Sequence, residues 1–201
     1  MKQQVKDLLA ESGRTFAEDA GIELRNGPAT LYRLLVLSTL LSARIRHEAA
    51  IDAAKELFAA GYDRPERMRA ASWQDLVDAL GRGGYRRYDE STATALGEGA
   101  KLVIDRWDGD LRHLRAEAEQ RRDRIENLLQ EVPRIGPAGA AIFCREAQGV
   151  WPELRPYLDE RALDGAKEAG LPADADKLAA LVDGEDLPRL AAALVRTSLE
   201  H

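Results

Sequence analysis

The stretch from Leu128 to Ala147, LLQEVPRIGPAGAAIFCREA, constrains the fold of this 201-residue chain more than any other. Apolar residues keep a helical period up to Val132, and Pro133 ends that helix because proline lacks an N–H and clashes with the preceding turn. Gly136 supplies the backbone freedom for a tight reversal, and Pro137 suits the first position of a second helix. The sequence therefore predicts an αα-hairpin, two helices joined by about four residues.

The segment Val132–Ala140 reads hydrophobic, Pro, any residue, hydrophobic, Gly and then small residues. This pattern resembles the helix-hairpin-helix of the endonuclease III and 3-methyladenine DNA glycosylase superfamily. In that family the hairpin binds the DNA backbone through main-chain N–H groups, a role that suits a helix N-terminus. The resemblance implies that Arg134, Gly136 and Gly139 contact DNA. The alternative is a plain hairpin between two packing helices.

The rest of the chain shows helical apolar spacing and no segment with the β-branched alternation of a strand, so we predict an all-α fold. Together with the resemblance, this predicts one glycosylase-like unit over residues 1–201, a two-lobed helical bundle. Residues 30–147, which include the hairpin, form the central lobe, and residues 1–29 plus 148–198 form the second. The longest apolar run, Leu34–Leu41, is too short to cross a membrane, and the N-terminus has no signal-peptide pattern. We therefore expect a cytoplasmic protein with no membrane partner.

The boundaries of the helices follow from breaks in the apolar period and from capping residues. Ser72 is the predicted N-cap of a helix that stops at Gly81. The other helices are predicted over about Val5–Glu23, Thr30–Ala43, Glu48–Ala60, Ser91–Trp107 and Leu111–Gln130. The last residues, Leu199–His201, resemble the start of an expression tag and carry no functional prediction.

The net charge of −6 argues against a nucleic-acid partner when it is taken alone. However, 23 of the 29 basic residues are arginine, whose planar guanidinium suits bidentate phosphate contact and stacking on bases. Much of the acid lies near the C-terminus, between Asp174 and Asp186. Since an arginine-rich chain also arises from a GC-rich genome, the charge distribution permits a DNA partner without requiring one.

The segment Ser38–Arg44, STLLSAR, is a second point of resemblance to the same family. There a buried helix ends in Leu-Leu-Ser-Ala, and the next residue enters the DNA stack where a base has been flipped out. By that resemblance Arg44 fills the gap. The alternative is an arginine at a helix C-terminus, where its charge suits the helix dipole.

The loop from Gly81 to Tyr88, GRGGYRRY, combines flexible backbone with three arginines and two tyrosines and has no acidic residue. Tyrosine offers a flat face to bases, and arginine binds phosphates. The family has a turn here that supplies a wedge into the duplex, so Tyr85, Arg86 and Arg87 are predicted DNA contacts. The alternative is a glycine-rich connector with solvated arginines.

The catalytic chemistry is judged at two positions. In bifunctional members of the family, a lysine just after the hairpin glycine forms a Schiff base with the sugar. Ala138 stands in that place, so the resemblance implies a monofunctional glycosylase that uses water. The family's aspartate begins the next helix, and Trp151–Asp159, WPELRPYLD, reproduces its approach. By resemblance Asp159 activates the water and stabilises positive charge on the sugar, and its alternative role is a helix N-cap.

No metal site and no cofactor are predicted. Cys144 is the single cysteine, which excludes an internal disulfide and the four-cysteine iron–sulfur cluster of many endonuclease III relatives. It lies in a helical apolar pattern, as a small core residue does. His47 and His113 have no partners at metal-ligand spacing.

The function that the resemblance implies is base-excision repair. A flipped base would lie in a pocket for which Tyr32, His47, Trp151 and Tyr157 are the candidates, with core packing as the alternative role of the aromatic residues. The protein would hydrolyse the N-glycosidic bond of a damaged or mispaired base in duplex DNA, bind lesion-bearing or abasic duplexes, and act as a monomer. One alternative is a non-catalytic DNA-binding or protein-interaction module that kept the fold, and another is an unrelated helical protein.

Overall fold

The computed structural model describes residues 1–199, and Glu200 and His201 of the tag-like end lie outside the described residues. Over residues 1–199 the chain forms thirteen α-helices, two short 3₁₀ helices and no β-strand, which confirms the all-α prediction. The α-helices are α1 Lys2–Ser12, α2 Phe16–Asp19, α3 Pro28–Leu41, α4 His47–Ala59, α5 Pro65–Ala70, α6 Trp73–Arg82, α7 Asp89–Trp107, α8 Leu111–Glu117, α9 Arg122–Leu129, α10 Pro137–Ala147, α11 Glu160–Glu168, α12 Ala175–Ala179 and α13 Leu187–Leu199, and the 3₁₀ helices are Pro152–Leu154 and Gly184–Asp186. None of these helices is both long and apolar enough to cross a membrane.

The helices belong to two compact units, and the division falls within α10. The larger unit is Ala20–Phe143, which we call the hairpin unit because it holds the connection between α9 and α10. The other, the terminal unit, combines Met1–Asp19 with the chain from Cys144 onward. The division into a lobe of residues 30–147 and a second lobe from the two ends stays a prediction.

The hairpin unit is organised around α3, the most apolar helix. Leu31, Leu34, Leu37 and Leu40 are fully buried, and α4 and α8 pack against this helix. Because α3 is apolar on nearly all sides, it requires this central position. Its two buried hydroxyls, on Ser38 and Thr39, donate to the carbonyls of Leu34 and Leu35 at 2.7 and 2.9 Å, so their burial leaves no donor unpaired.

In the terminal unit, α13 packs against both α11 and α1. A Cβ at Gly165 of α11 would lie 1.8 Å from the carbonyl oxygen of Leu194 in α13. Only glycine permits two helix backbones to approach this closely. A substitution of Gly165 would force α11 away from the helix that holds the unit together.

The predicted single helix over Val5–Glu23 is wrong, because α1 ends at Ser12 and α2 begins at Phe16. Two arginines of α13 stabilise the break. Arg189 donates to the carbonyl of Gly13 at 3.1 Å, and Arg196 donates to the carbonyl of Ser12 at 2.8 Å. The carbonyls at the end of α1 thus find side-chain donors instead of a further helical turn.

The predicted helix over Leu111–Gln130 is also wrong, since α8 ends at Glu117 and α9 begins at Arg122. Glu119 and Gln120 between them have left-handed backbone, with φ of 53° and 56°. Both are good helix formers, so local preference did not indicate the break. Tertiary packing explains it, because the break allows Ala118 and Ile125 on its two sides to be fully buried.

Glu146 of α10 is a buried carboxylate in the terminal unit. Its oxygens accept hydrogen bonds from the N–H groups of Phe16 and Ala17 at 3.1 and 3.0 Å, at the start of α2. Burial raises the pKa of Glu146 above the usual glutamate value, although these two N–H groups and the nearby Arg145 favour the anion. The side chain thus joins α10 to α2, and its burial favours the protonated form of the carboxyl group.

We expect this carboxyl group to make stability depend on pH. Folding raises the pKa of Glu146, so the folded chain binds more protons than the unfolded chain from the ordinary value of 4.5 up to the raised one. Its stabilising contribution is fully present below pH 4.5 and is lost as pH rises through the folded pKa. The free energy of unfolding, measured by urea titration at several pH values, should therefore fall over this window in wild type. Glu146→Gln should remove this fall of the unfolding free energy with pH, and the control Glu160→Gln, at an exposed site, should keep it. If the unfolding free energies of wild type and Glu146→Gln depend on pH in the same way, the assignment is wrong.

Candidate nucleic-acid interface and carboxylate site

The hairpin connection spans residues 130–136, between the end of α9 and Pro137, and is longer than the sequence predicted. Val132 and Ile135 are buried and anchor it, with exposures of 4% and 3%. The left-handed residue of the turn is Arg134, with a φ of 69°, whereas Gly136 has no positive φ. The prediction that Gly136 supplies the reversal is therefore wrong.

The hairpin leaves main-chain donors unpaired at the start of α10. The N–H groups of Gly136, Ala138 and Gly139 donate to no atom of residues 1–199. A Cβ added to Gly136 would have nothing within 4 Å, so the protein's own packing does not require glycine there. A turn with unpaired N–H groups, a helix N-terminus and no side chain in front suits a close-approaching anion.

Gly139 has a packing role in addition to its free N–H. A Cβ at this position would lie 3.3 Å from Cδ1 of Ile135 and 3.5 Å from Cβ of Ser42. The small residue thus allows the first turn of α10 to pack against Ser42 at the end of α3. Since Arg44 lies two residues beyond Ser42, the predicted gap-filling residue belongs to a segment that is packed against the hairpin.

Four side chains connect the Gly81–Tyr88 loop and the start of α7 to the hairpin. We call them the Tyr88 cluster: Arg87, Tyr88, Ser91 and Arg134. The guanidinium of Arg134 donates to the hydroxyl of Ser91 and lies 5.9 Å from the centroid of the Tyr88 ring. Arg87 lies 5.3 Å from the same centroid. Two segments that the sequence singled out separately are therefore brought together within the hairpin unit, through cation–π contacts.

Three of the arginines that the sequence singled out are not neutralised by the protein itself. Arg44, Arg86 and Arg87 are exposed and form no ion pair with any residue of 1–199, whereas Arg33 and Arg106 elsewhere in the unit bind carboxylates. A guanidinium without an acidic partner retains its full capacity for bidentate phosphate contact. These three side chains and Arg134 provide the cationic part of the candidate interface.

Tyr85, predicted to contact DNA, is instead a core residue with 1% exposure. Its hydroxyl lies 3.3 Å from that of Thr92, and burial raises its pKa. The cause is local, because Gly84 has a φ of 84° and the N–H of Tyr85 bonds to the carbonyl of Leu80, the pattern that ends a helix by folding the next residue back onto it. The half-buried Tyr88 is the surface aromatic of this loop, and the sequence did not distinguish the two.

Tyr32 and His47, the predicted base-pocket residues of the hairpin unit, lie in different environments. Tyr32 is 2% exposed, burial raises its pKa, and with Thr39 it borders an apolar cavity of about 10 Å³. That volume holds one water molecule at most. His47 begins α4 half-buried, with its Nε2 3.4 Å from a carboxylate oxygen of Glu48, and does not border the cavity. The burial of Tyr32 favours the core-packing alternative, and the assignment of Tyr32 and His47 to a base pocket stays a prediction.

Trp151 and Tyr157 belong to the terminal unit and are buried, with exposures of 0% and 3%. Gln148 accepts from the N–H of Tyr157 and donates to its carbonyl, both at 2.9 Å. Both rings are therefore part of the core that supports the segment before α11. Their burial favours the core-packing alternative over an open stacking surface.

Asp159 is the N-cap of α11, where its Oδ1 accepts from the N–H of Ala162 at 3.3 Å. Its Oδ2 accepts from Nη1 of Arg145 at 2.8 Å, in an ion pair whose side chains are 20% and 7% exposed, respectively. The N-cap alternative is confirmed, and it leaves a carboxylate that solvent still reaches. The sequence did not predict Arg145, although a charged residue in the apolar run of α10 signals a buried partner.

The only cysteine of the chain, Cys144, is buried in α10. Over residues 1–199, no three side chains of His, Cys, Asp or Glu are grouped so that they could hold a metal ion. A four-cysteine cluster of the kind found in many endonuclease III relatives therefore has no ligands in this chain.

No protein-family model and no curated protein sequence matches the chain. Solved structures do. A trapped endonuclease III–DNA covalent intermediate, the estranged-adenine complex, aligns with a TM-score of 0.52 and 19% identity, and a non-covalent endonuclease III–DNA complex aligns with 0.54 and 20%. Each alignment covers 97% of this chain and 84% of the other. The chain therefore has the helical fold of endonuclease III, as the helix-hairpin-helix pattern in its sequence predicted.

Proposed function

We propose that this protein is a monofunctional DNA glycosylase that hydrolyses the N-glycosidic bond of a damaged or mispaired base flipped out of duplex DNA. One observation carries the proposal: the hairpin has unpaired N–H groups at Gly136, Ala138 and Gly139, and its turn residue Arg134 is exposed and has no carboxylate partner among residues 1–199. Main-chain donors at a helix N-terminus and an arginine without an acidic partner in the same turn suit a DNA phosphate. The structures that share the fold contain endonuclease III with DNA, which supports the same partner.

The proposed chemistry uses one carboxylate and water. Asp159 is partly exposed and has acceptor positions beyond those used by Ala162 and Arg145, because a carboxylate has about four lone-pair sites. It would orient and deprotonate the attacking water and stabilise the positive charge that develops on the sugar. Ala138 replaces the lysine of bifunctional relatives, so the reaction would end at an intact abasic strand.

Single-turnover excision on a panel of duplexes, each with one damaged or mispaired base, tests the proposal. Release of a base from at least one duplex, with an abasic strand that breaks only on alkali treatment, is the expected result. A protein that binds the duplexes but releases no base from any of them would contradict the glycosylase proposal.

The second candidate, a module that binds DNA without catalysis, is favoured by the environment of Asp159. The ion pair with Arg145 and the bond to Ala162 are what a purely structural helix cap would show. The same panel separates the two functions, because this candidate requires binding without base release.

We expect duplex binding to depend steeply on salt. Four arginines, Arg44, Arg86, Arg87 and Arg134, form the cationic part of the interface, and each neutralised phosphate releases counterions. Fluorescence anisotropy should give a slope of roughly −4 for log affinity against log salt, and Arg134→Gln should reduce the slope by about one. If no duplex is bound at low salt, with or without a lesion or abasic site, the DNA-repair function is wrong.

Gly136→Leu should weaken binding to every duplex by a similar factor. The side chain would extend into open space in the free protein, so the melting temperature should stay near that of wild type, but it would block close approach of a phosphate to the hairpin N–H groups. Gly97→Leu is the matched control, because Gly97 also has open space at its Cβ and lies on α7 of the same unit. Equal affinities of the two variants would remove the hairpin from the interface.

A further inference from the structure

We propose that Arg145 is a positioning residue for base hydrolysis, which orients the carboxylate of Asp159 from α10. This inference rests on the proposed glycosylase function. Arg145 is 7% exposed, whereas most arginines of this chain are at the surface, and its Nη1 donates to Oδ2 of Asp159 at 2.8 Å. Burial of a guanidinium is costly unless an anionic partner compensates for the lost hydration, and here Asp159 is that partner.

Arg145 restricts the rotation of the Asp159 carboxylate about its Cβ–Cγ bond, which the helix cap alone does not restrict. The cap bond from Ala162 to Oδ1 is long, at 3.3 Å, and binds only one oxygen. A carboxylate held at one oxygen can still rotate about its Cβ–Cγ bond, and a second, charge-assisted bond at the other oxygen stops that rotation. Between them, the two donors aim the remaining lone pairs in a single direction.

The backbone before Asp159 is held by the residue that follows the end of α10. Gln148 comes directly after Ala147, the last residue of α10, and its N–H bonds to the carbonyl of Cys144 at 3.0 Å. Its amide exchanges two hydrogen bonds with the main chain of Tyr157 and also donates to the carbonyl of Arg145 at 2.8 Å. The last turn of α10 and the residue after it therefore position the carboxylate of Asp159 and the main chain that approaches it.

A structural salt bridge alone would give the same contact, so the test needs a matched pair. Arg196 and Asp19 of the same unit form an ion pair at 2.6 Å, with side chains 17% and 30% exposed, and neither residue contacts Asp159. Arg196→Gln breaks this pair at a similar degree of burial. Any loss of excision that comes from weaker folding should appear in both arginine variants.

The experiment measures single-turnover excision at saturating enzyme and the duplex affinity, on the duplex that wild type processes best. Arg145→Gln should reduce the excision rate about 10- to 100-fold, the scale of a misplaced catalytic group, with unchanged duplex affinity. Arg145→Lys should recover most of the rate because the charge remains, and Arg196→Gln should stay near wild type. In an Asp159→Asn background, Arg145→Gln should cause no further loss, because the arginine acts through that carboxylate.

The outcomes separate this inference from the function on which it rests. Wild-type excision with an unchanged rate in Arg145→Gln overturns the positioning role and leaves the glycosylase standing. Equal losses in Arg145→Gln and Arg196→Gln, or full additivity with Asp159→Asn, overturn it as well. Absence of excision by wild type on every duplex overturns the glycosylase function and the positioning role together.

Discussion

Asp159→Asn is expected to slow base excision by about two orders of magnitude or more, the scale of losing one general base or electrostatic stabiliser. The substitution preserves the shape of the side chain and removes only its charge. Asparagine is as good an N-cap as aspartate, so its oxygen can still accept from the N–H of Ala162 and α11 should form. DNA binding should be unchanged, because the candidate interface lies in the hairpin unit.

The structure adds a cost that the sequence did not indicate. Asp159 is the anionic partner of Arg145, and a neutral amide leaves that buried guanidinium without compensation. We expect the unfolding free energy of Asp159→Asn to fall by about 1–3 kcal/mol, as for a lost hydrogen bond to a charged group. Excision must therefore be measured well below the melting temperature of the variant.

Asp164→Asn is the control for removing a carboxylate from α11. Asp164 pairs with Lys167 on an exposed face, so its loss should affect neither stability nor excision to a comparable extent. Unchanged excision in Asp159→Asn would remove Asp159 from the mechanism. The carboxylates of Glu153, Glu160 and Asp164 would then be the ones to replace in turn.

Much of the fold was predictable because local signals and packing agree. Ser72 accepts from the N–H of Asp75 as an N-cap, and the apolar run of α3 is buried as its composition required. The sequence failed where packing overrides preference. Glu119 and Gln120 break a helix that both residues favour, and Arg134 adopts a left-handed conformation, whereas Gly136, two residues later, does not.

The candidate site also combines features that follow from local sequence with features that depend on tertiary contacts. Linear patterns singled out Asp159, Arg134 and Gly136, which lie at a helix cap and in a turn, where short-range rules apply, and their functional roles stay predictions. The contacts of the Tyr88 cluster and of Arg145 were not predictable, because they join residues far apart in sequence or depend on burial. The composition of the Gly81–Tyr88 loop also did not indicate that Gly84 belongs to a regular helix-ending motif that buries Tyr85.

The second large effect concerns covalent chemistry: borohydride is expected to trap no protein–DNA adduct, whereas one of the structures that share the fold is a trapped covalent intermediate. A Schiff base needs an amine beside the sugar. By the resemblance of the hairpin sequence, Ala138 stands where bifunctional glycosylases of the endonuclease III superfamily carry lysine, and it is exposed at the first turn of α10. The nearest lysines in sequence, Lys101 and Lys167, are salt-bridged to carboxylates of their own helices, those of Asp105 and Asp164.

The trapping experiment compares wild type with Ala138→Lys on duplexes that carry an abasic site, with borohydride present from the start. Wild type should give no shifted band on a denaturing gel and no strand cleavage without alkali.

Ala138→Lys places an amine in the hairpin, and a trapped band in this variant alone would show that the hairpin turn reaches the abasic sugar. Efficient trapping by wild type would mean that another amine performs the chemistry, and peptide mapping of the adduct would then identify it. In that case an amine of the protein, and not water, would be the nucleophile that attacks the sugar. Asp159 would then assist the formation of a Schiff base instead of hydrolysis.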